Sequence, residues 1–81
     1  MTITNYRLDS NPEMGFSIQE DMHNKIGNQT RKTSVTLWID EYGGGEAYDT
    51  DWTYVDDFDT HEAALDYVVE KYGAVTKIAI Y

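Results

Sequence analysis

The sequence predicts a small α+β domain, with one helix packed on one face of a mainly antiparallel sheet of four to five strands. Short β-branched segments with alternating apolar and polar residues recur along the chain, as in strands that are buried on one side. Apolar residues at helical spacing are clearest over about residues 60–72. The 81 residues suffice for one modest core, so we expect a single domain over residues 1–81.

The first third of the chain predicts two strands joined by a turn. Residues 2–8 are β-branched and roughly alternating, and residues 9–12 end in Asn-Pro, which favours a break. Residues 15–20 fit two structures, because Phe16 and Ile18 alternate with polar residues while Ser17 and Glu20 also fit a capping box. We predict a strand here and keep a helix over residues 17–26 as the alternative. The element order is then ββββαβ, or βαββαβ.

The middle of the chain predicts a second hairpin. Residues 21–32 are polar and indicate a loop or the far end of a long hairpin. Residues 34–42 form the clearest strand, with Val35, Leu37 and Ile39 on one face. Three glycines at 43–45 predict the turn, and residues 46–55 return as the partner strand. We expect Trp52 and Tyr54 of that strand to pack in the core.

The last third predicts a helix and a final strand. Asp59 is the expected N-cap, with Glu62 closing a capping box, and Gly73 ends the helix. Residues 75–81 are β-branched and predict a strand. The apolar face of the helix is expected to comprise Ala64, Leu65, Val68, Val69 and Tyr72.

The acids are segregated along the chain. The net charge is −9, and eleven of the 15 Asp and Glu fall between Thr33 and Glu70, where the sequence has no Lys or Arg. Affinity for nucleic acid or for an anionic membrane comes from Lys and Arg, so direct binding to either is disfavoured. Such segregation instead creates a field that attracts a basic protein partner.

The same segment supplies the candidate binding residues. Asp49 and Asp51 alternate on one strand face, while Glu62, Asp66 and Glu70 recur every four residues along one side of the helix. Solubility is the simpler explanation for such acids, but it does not require a segment this long without a base. The predicted partner-binding residues are Asp40, Glu41, Glu46, Asp49, Asp51, Asp56, Asp57, Glu62, Asp66 and Glu70, with Trp38 and Tyr42 as aromatic anchors.

Catalytic and metal sites find little support in the sequence. There is no Cys, and the two His lie in a predicted loop and at a helix start, so we expect no enzyme. A calcium loop beginning at Asp51 would need Gly where Asp56 stands. Clustered carboxylates leave a magnesium site as a rival reading, but no base or phosphate-binding loop accompanies them. We therefore expect no cofactor and no metal.

The run Asp49-Thr-Asp-Trp-Thr-Tyr-Val-Asp-Asp-Phe-Asp59, together with the size and charge, resembles a class of small inhibitors encoded by phages and mobile elements. These are anti-CRISPR and anti-restriction proteins and, more loosely, barstar-type nuclease inhibitors. The resemblance implies binding to a basic DNA or RNA channel of a nuclease or CRISPR effector.

The resemblance also bears on location and assembly. The sequence lacks a signal peptide pattern and an apolar stretch of ~20 residues, so we expect a soluble cytoplasmic protein. If the chain is phage-encoded, as the resemblance implies, the cytoplasm is that of the host cell. The alternative function is a small acidic structural, assembly or adaptor protein that docks on a basic partner. In that case the last strand provides an edge for homodimerisation.

Overall fold

The computed structural model describes residues 1–24, 31–43 and 52–81, and of residues 22–24 and 31–33 it describes the backbone. The order of elements is ββββαβ, which confirms the α+β prediction with a five-stranded sheet and one helix. The elements are β1 (Thr2–Leu8), β2 (Asn11–Asn24), β3 (Arg31–Asp40), β4 (Thr53–Phe58), α1 (His61–Lys71) and β5 (Val75–Ile80).

The sheet has the strand order β4-β3-β2-β1-β5, and every pairing is antiparallel. The first four strands are adjacent in chain order. Helix α1 then carries the chain from edge strand β4 across one face of the sheet to β5 at the opposite edge. Contacts of α1 with β2, β3 and β4 place the helix over that half of the sheet.

Strands β2 and β3 form a long hairpin, so the helix alternative over residues 17–26 is wrong. Their register runs without a shift from Gly15 opposite Asp40 to Asn24 opposite Arg31. Residues 21–24 and 31–32 therefore form the far end of a long hairpin, as predicted. Residues 25–30 lie outside the described residues. The alternation of Phe16 and Ile18 with polar neighbours was the decisive signal, because it leaves both side chains buried under α1.

The core lies between the sheet and α1. Strands β1, β2 and β3 contribute alternate residues to it, and α1 contributes Ala64 and Val68. Leu65 and Tyr72 pack partly against this core, whereas Val69 is 45% exposed, so its predicted place on the buried face is wrong. The buried sheet residues are Tyr6, Leu8, Phe16, Ile18, Val35, Leu37 and Ile39.

Strand β4 spans different residues from the predicted strand. Within the described residues it begins at Thr53 and continues to Phe58, so the chain does not turn toward the helix after Val55. Residues 46–51, the start of the predicted strand, lie outside the described residues. The register shifts between Leu37 and Trp38 of β3, which leaves Val55 as the extra residue of a bulge. Val55 and Phe58, three apart, consequently both pack against the core.

The two ends of α1 are set by local chemistry. Thr60 is the N-cap, and its hydroxyl accepts a hydrogen bond from the Ala63 backbone N–H at 3.0 Å, so the prediction of Asp59 as the cap is wrong. Gly73 has φ of +124°, a backbone conformation that only glycine adopts without strain, which confirms it as the helix stop. No helix in residues 1–24, 31–43 and 52–81 is long and apolar enough to cross a membrane.

Candidate functional site

The outer side of α1 carries a row of exposed carboxylates. Glu62, Asp66 and Glu70 are spaced four residues apart and are all exposed. Like charges at this spacing repel one another and destabilise a helix by about 0.2–0.5 kcal/mol per pair. None of the three forms an ion pair with a described side chain. The row thus costs the helix a little stability and is left without internal compensation among the described residues.

The base that follows this row is engaged elsewhere. The Lys71 ammonium donates a hydrogen bond to the Tyr67 hydroxyl at 3.0 Å. It also lies 5.3 Å from the Tyr67 ring centroid and 5.6 Å from that of Tyr72. The hydrogen bond and the charge interactions with both tyrosines raise the pKa of Lys71. Lys71 is therefore held by aromatic side chains, and it leaves the helix carboxylates unneutralised.

Edge strand β4 adds two more exposed carboxylates, Asp56 and Asp57. The Thr36 hydroxyl donates to Asp57 Oδ1 at 3.2 Å, and the Asp57 backbone N–H donates to Asp56 Oδ1 at 2.8 Å. Partial burial, a hydrogen bond to Asp57 and the charges of both acids raise the pKa of neighbouring Tyr54. Asp56 pairs with Leu37 and so shares the side of the sheet that carries α1, whereas Asp57 pairs with Thr36 and lies on the opposite face, so the fold does not bring Asp57 together with the helix row. We call Asp56, Glu62, Asp66 and Glu70 the acidic surface.

Asp40 does not belong to this surface. It is 1% exposed, and its carboxylate accepts hydrogen bonds from the backbone N–H groups of Tyr42 and Gly43 at 3.3 and 3.0 Å. Its inclusion among the partner-binding residues is therefore corrected, because the side chain stabilises the turn that ends β3. Glu41 and Tyr42 are exposed beyond that strand, Tyr42 at 82%.

Three predicted binding residues, Glu46, Asp49 and Asp51, lie outside the described residues. Trp38 is described, and it lies on the sheet face opposite α1. Its ring contacts that of Tyr54 edge-to-face, with centroids 5.7 Å apart. Tyr54 is 50% exposed, and Trp52 is partly exposed outside the core under α1, so the expected core positions of these two residues are wrong.

Three bases, Arg31, Lys32 and Lys77, have backbone positions away from the acidic surface. Arg31 and Lys32 pair with Asn24 and His23 at the far end of the β2–β3 hairpin. Arg31 is four residues before Val35, where β4 ends its pairing, which is about 13 Å along the strand. Lys77 lies on β5 at the opposite edge of the sheet. The fold therefore separates these three bases from the acidic surface.

Comparisons with protein-family models, with curated proteins and with solved structures find no match to this chain. The function must accordingly be argued from the geometry of the chain itself. Among the described residues, no group of three or more His, Asp or Glu side chains is placed to hold a metal ion.

One titratable cluster escaped the sequence analysis. The His61 ring joins the Tyr6 hydroxyl, 2.7 Å from Nε2, to the Glu20 carboxylate, 2.5 Å from Nδ1. Neutral His61 satisfies both neighbours if Nδ1–H donates to Glu20 and Nε2 accepts from the Tyr6 O–H. The His61 side chain, at the predicted helix start, is 26% exposed. No sequence signal links three residues that lie on β1, β2 and the start of α1.

The chemistry of this cluster favours anchoring over nucleophilic catalysis. Burial, and then the negative charge of Glu20, raise the pKa of Tyr6, so its phenol is held protonated. A nucleophilic tyrosine would require the opposite shift. The cluster connects the first turn of α1 to strands β1 and β2.

Proposed function

We propose that this chain is a non-enzymatic inhibitor that presents its acidic surface to the basic nucleic-acid-binding surface of a nuclease or CRISPR effector. The observation that carries the proposal is a set of exposed carboxylates on α1 and β4 with no described Lys or Arg against them. Lys71, the one base on α1, is engaged by two tyrosines instead.

The charge density of this surface supports a role as a substitute for nucleic acid. Duplex DNA presents one negative charge per ~1.7 Å of its axis. A helix row with acids at every fourth residue supplies one charge per ~6 Å. The row is therefore sparse by itself, and Asp56 on neighbouring β4 raises the density. A partner's Arg and Lys can then pair with carboxylates that have already been brought together by the fold.

The rigidity of the scaffold is a second support. The acids of α1 stand on a helix that is capped at both ends and anchored through His61 to the sheet. The backbone that carries these side chains is ordered before binding, which reduces the entropy lost on association. Attraction between opposite charges also accelerates the encounter, and added salt weakens this effect.

The test is an inhibition assay with two variants of matched charge. E62Q/E70Q neutralises two carboxylates of the acidic surface, and E13Q/D21N neutralises two acids outside it. Each variant changes the net charge by two. DNA cleavage by CRISPR effectors and restriction nucleases is measured with each variant and with the unmodified chain. We expect E62Q/E70Q to weaken inhibition at least tenfold and E13Q/D21N to leave it within about twofold.

Equal losses in both variants would show that only net charge matters, and would contradict a defined binding surface. Inhibition that is insensitive to both variants would place the binding residues elsewhere on the chain. Far-UV circular dichroism of each variant confirms that the fold is kept.

A second candidate function is that of an assembly subunit, and the β5 edge favours it. In the described chain β5 pairs with β1 on one side. Ile78, Ile80 and Tyr81 near this edge are 36%, 60% and 57% exposed. Exposed apolar edges are templates for pairing with another strand. Sedimentation velocity decides between the two: a stable oligomer of the purified chain supports assembly, and a monomer up to about 100 μM contradicts self-assembly through this edge.

A further inference from the structure

The sheet face opposite α1 has an arrangement of large and small residues that solvation alone does not require. One lateral row crosses all five strands through paired residues, with large aromatic residues at one end and small ones in the middle. In order, the row is Tyr54, Trp38, Ser17, Asn5 and Ala79. Small residues beside Trp38 lower the floor of the face, so the indole forms a wall.

This arrangement forms a groove of about 430 Å³. Pockets for small ligands span about 300–1,000 Å³, so the volume is sufficient for a molecule with one or two rings. Ser17 and Asn5 in the floor are 6% and 3% exposed. We call this the aromatic groove, and its lining comprises Ile3, Asn5, Ser17, Gln19, Trp38, Trp52 and Tyr81.

Trp38 provides an independent indication of a ligand. Its indole Nε1–H is buried and finds no hydrogen-bond acceptor among the described residues. A buried donor without an acceptor costs free energy that a folded chain usually avoids. The indole contacts the Tyr54 ring edge-to-face. Because Nε1 has almost no accessible surface, a ligand acceptor supplies the missing hydrogen bond when the indole turns toward the groove.

The lining also restricts the charge of the ligand. It contains three aromatic rings, two amides, one hydroxyl and one aliphatic side chain, and none of these groups is charged. The row on one side places Arg7 and Asp40 on either side of Gly15, and the row on the other side runs through Ile3, Gln19 and Thr36 to Asp57, so the flanking rows together carry one base and two acids. A chain of net charge −9 repels anions in addition.

We propose that the aromatic groove binds a small, uncharged, planar heteroaromatic molecule of the nucleobase type. The ring stacks against the aromatic walls, one of its acceptor atoms receives the Trp38 Nε1–H, and the Gln19 amide is available for its remaining polar edge. The proposal is independent of the acidic surface, which lies on the α1 side of the sheet.

The test uses adenosine and uridine as probes of two-ring and one-ring bases. Trp38 and Trp52 are the two tryptophans of the chain, and both line the groove, so indole signals report on it directly. In ¹H–¹⁵N spectra we expect the Trp38 indole cross-peak to move in a saturable way with at least one probe. The fluorescence of the tryptophans should change with the same dissociation constant.

Two variants separate a ligand site from a structural role. W38F keeps an aromatic ring and removes the donor, so affinity should fall by roughly 3- to 10-fold, the equivalent of one hydrogen bond. Its melting temperature without ligand should be equal or higher, because the unpaired donor is gone. Y81A removes a wall but keeps the backbone hydrogen bonds between Tyr81 and Ile3, so it should bind more weakly and remain folded. Y42F, outside the groove, is the matched control.

The phosphorylated probes test the class of ligand. Adenosine 5′-monophosphate and a single-stranded oligonucleotide should bind more weakly than adenosine. Added salt should reduce this difference in affinity. The proposal is overturned if neither nucleoside moves an indole cross-peak at 10 mM, or if W38F and Y81A bind as tightly as Y42F. Tighter binding of the monophosphate or the oligonucleotide would overturn the uncharged class and assign the groove to nucleic acid.

Discussion

The two faces of the sheet serve different ends. Under α1, β1 to β3 contribute alternate apolar residues to a core in which Ile18 and Leu37 have no exposed surface. On the opposite face the same strands contribute Asn5, Ser17 and Trp38, and one indole N–H is left without a described partner. Because neighbours along a strand point to opposite faces, one stretch of sequence serves both roles.

The difference between the two faces separates the residues that form the core from those that remain for binding. The face under α1 is filled by apolar side chains, and its titratable group Tyr6 is paired with His61. The opposite face instead contains polar residues, among them Asn5 and Ser17, and the outer side of α1 carries exposed carboxylates. A chain of 81 residues has one small core, so its binding surfaces have to be the faces that the core leaves free.

The sharpest comparison uses the neighbours Leu37 and Trp38. L37A removes a side chain with 0% exposure from the core and should lower the free energy of unfolding by about 2–5 kcal/mol. W38F alters the other face and should change the free energy of unfolding by less than about 1 kcal/mol. Urea denaturation of both variants measures the difference. Similar losses would mean that the open face is as much a part of the core as the face under α1.

The anchoring cluster gives the next largest effect. H61A leaves the buried Tyr6 hydroxyl without its partner and should cost about 1–3 kcal/mol. E20Q should cost less, because a carboxamide oxygen still accepts from the His61 ring. Thermal unfolding monitored by circular dichroism compares the stability losses of the two variants. A loss for E20Q that equals or exceeds that for H61A would contradict the anchoring role given to Tyr6 and His61.

The raised pKa of Tyr6 predicts a dependence on alkaline pH. A tyrosine whose pKa in the folded state lies above its ordinary value of 10.0 stabilises the fold below that pH. This stability is lost as the pH rises through the folded-state pKa. The advantage of the unmodified chain over Y6F, about 0.5–1.5 kcal/mol at pH 7, should therefore shrink above pH 10. Melting temperatures of both proteins between pH 7 and 11 test this, and a constant difference would contradict it.

The smallest expected effect is a gain in stability. E62Q/E70Q removes two repulsive pairs with Asp66 and should stabilise α1 by about 0.4–1 kcal/mol in total. E13Q/D21N should leave stability within about 0.5 kcal/mol. Denaturant midpoints at low salt compare the two. A destabilised E62Q/E70Q would show that these carboxylates have structural partners, and would weaken the case for a binding role.

The elements could be predicted from the sequence where periodicity was strong. The alternation around Phe16 and Ile18, and Gly73 at the helix end, specified the strand and the stop. The position of β4 could not be predicted, because a bulge at Val55 lets residues three apart face the core and breaks the two-residue period. Thr60 competed with the adjacent Asp59 for the cap, and sequence spacing could not decide between them.

The candidate site was predictable in charge and only partly in geometry. The row on α1 followed from four-residue spacing. Asp40 could not be excluded in advance, because its burial depends on the turn that its own carboxylate stabilises. The aromatic groove and the Tyr6–His61–Glu20 cluster depend on cross-strand register, which links positions far apart in the chain.

Competition with DNA tests the central claim most directly. The chain is labelled with a fluorophore, bound to a nuclease or CRISPR effector that it inhibits, and titrated with that enzyme's duplex substrate while fluorescence anisotropy is followed. If the acidic surface occupies the nucleic-acid site, DNA should displace the chain completely, and E62Q/E70Q should be displaced at a lower DNA concentration than E13Q/D21N. A stable ternary complex of enzyme, DNA and chain would contradict the account.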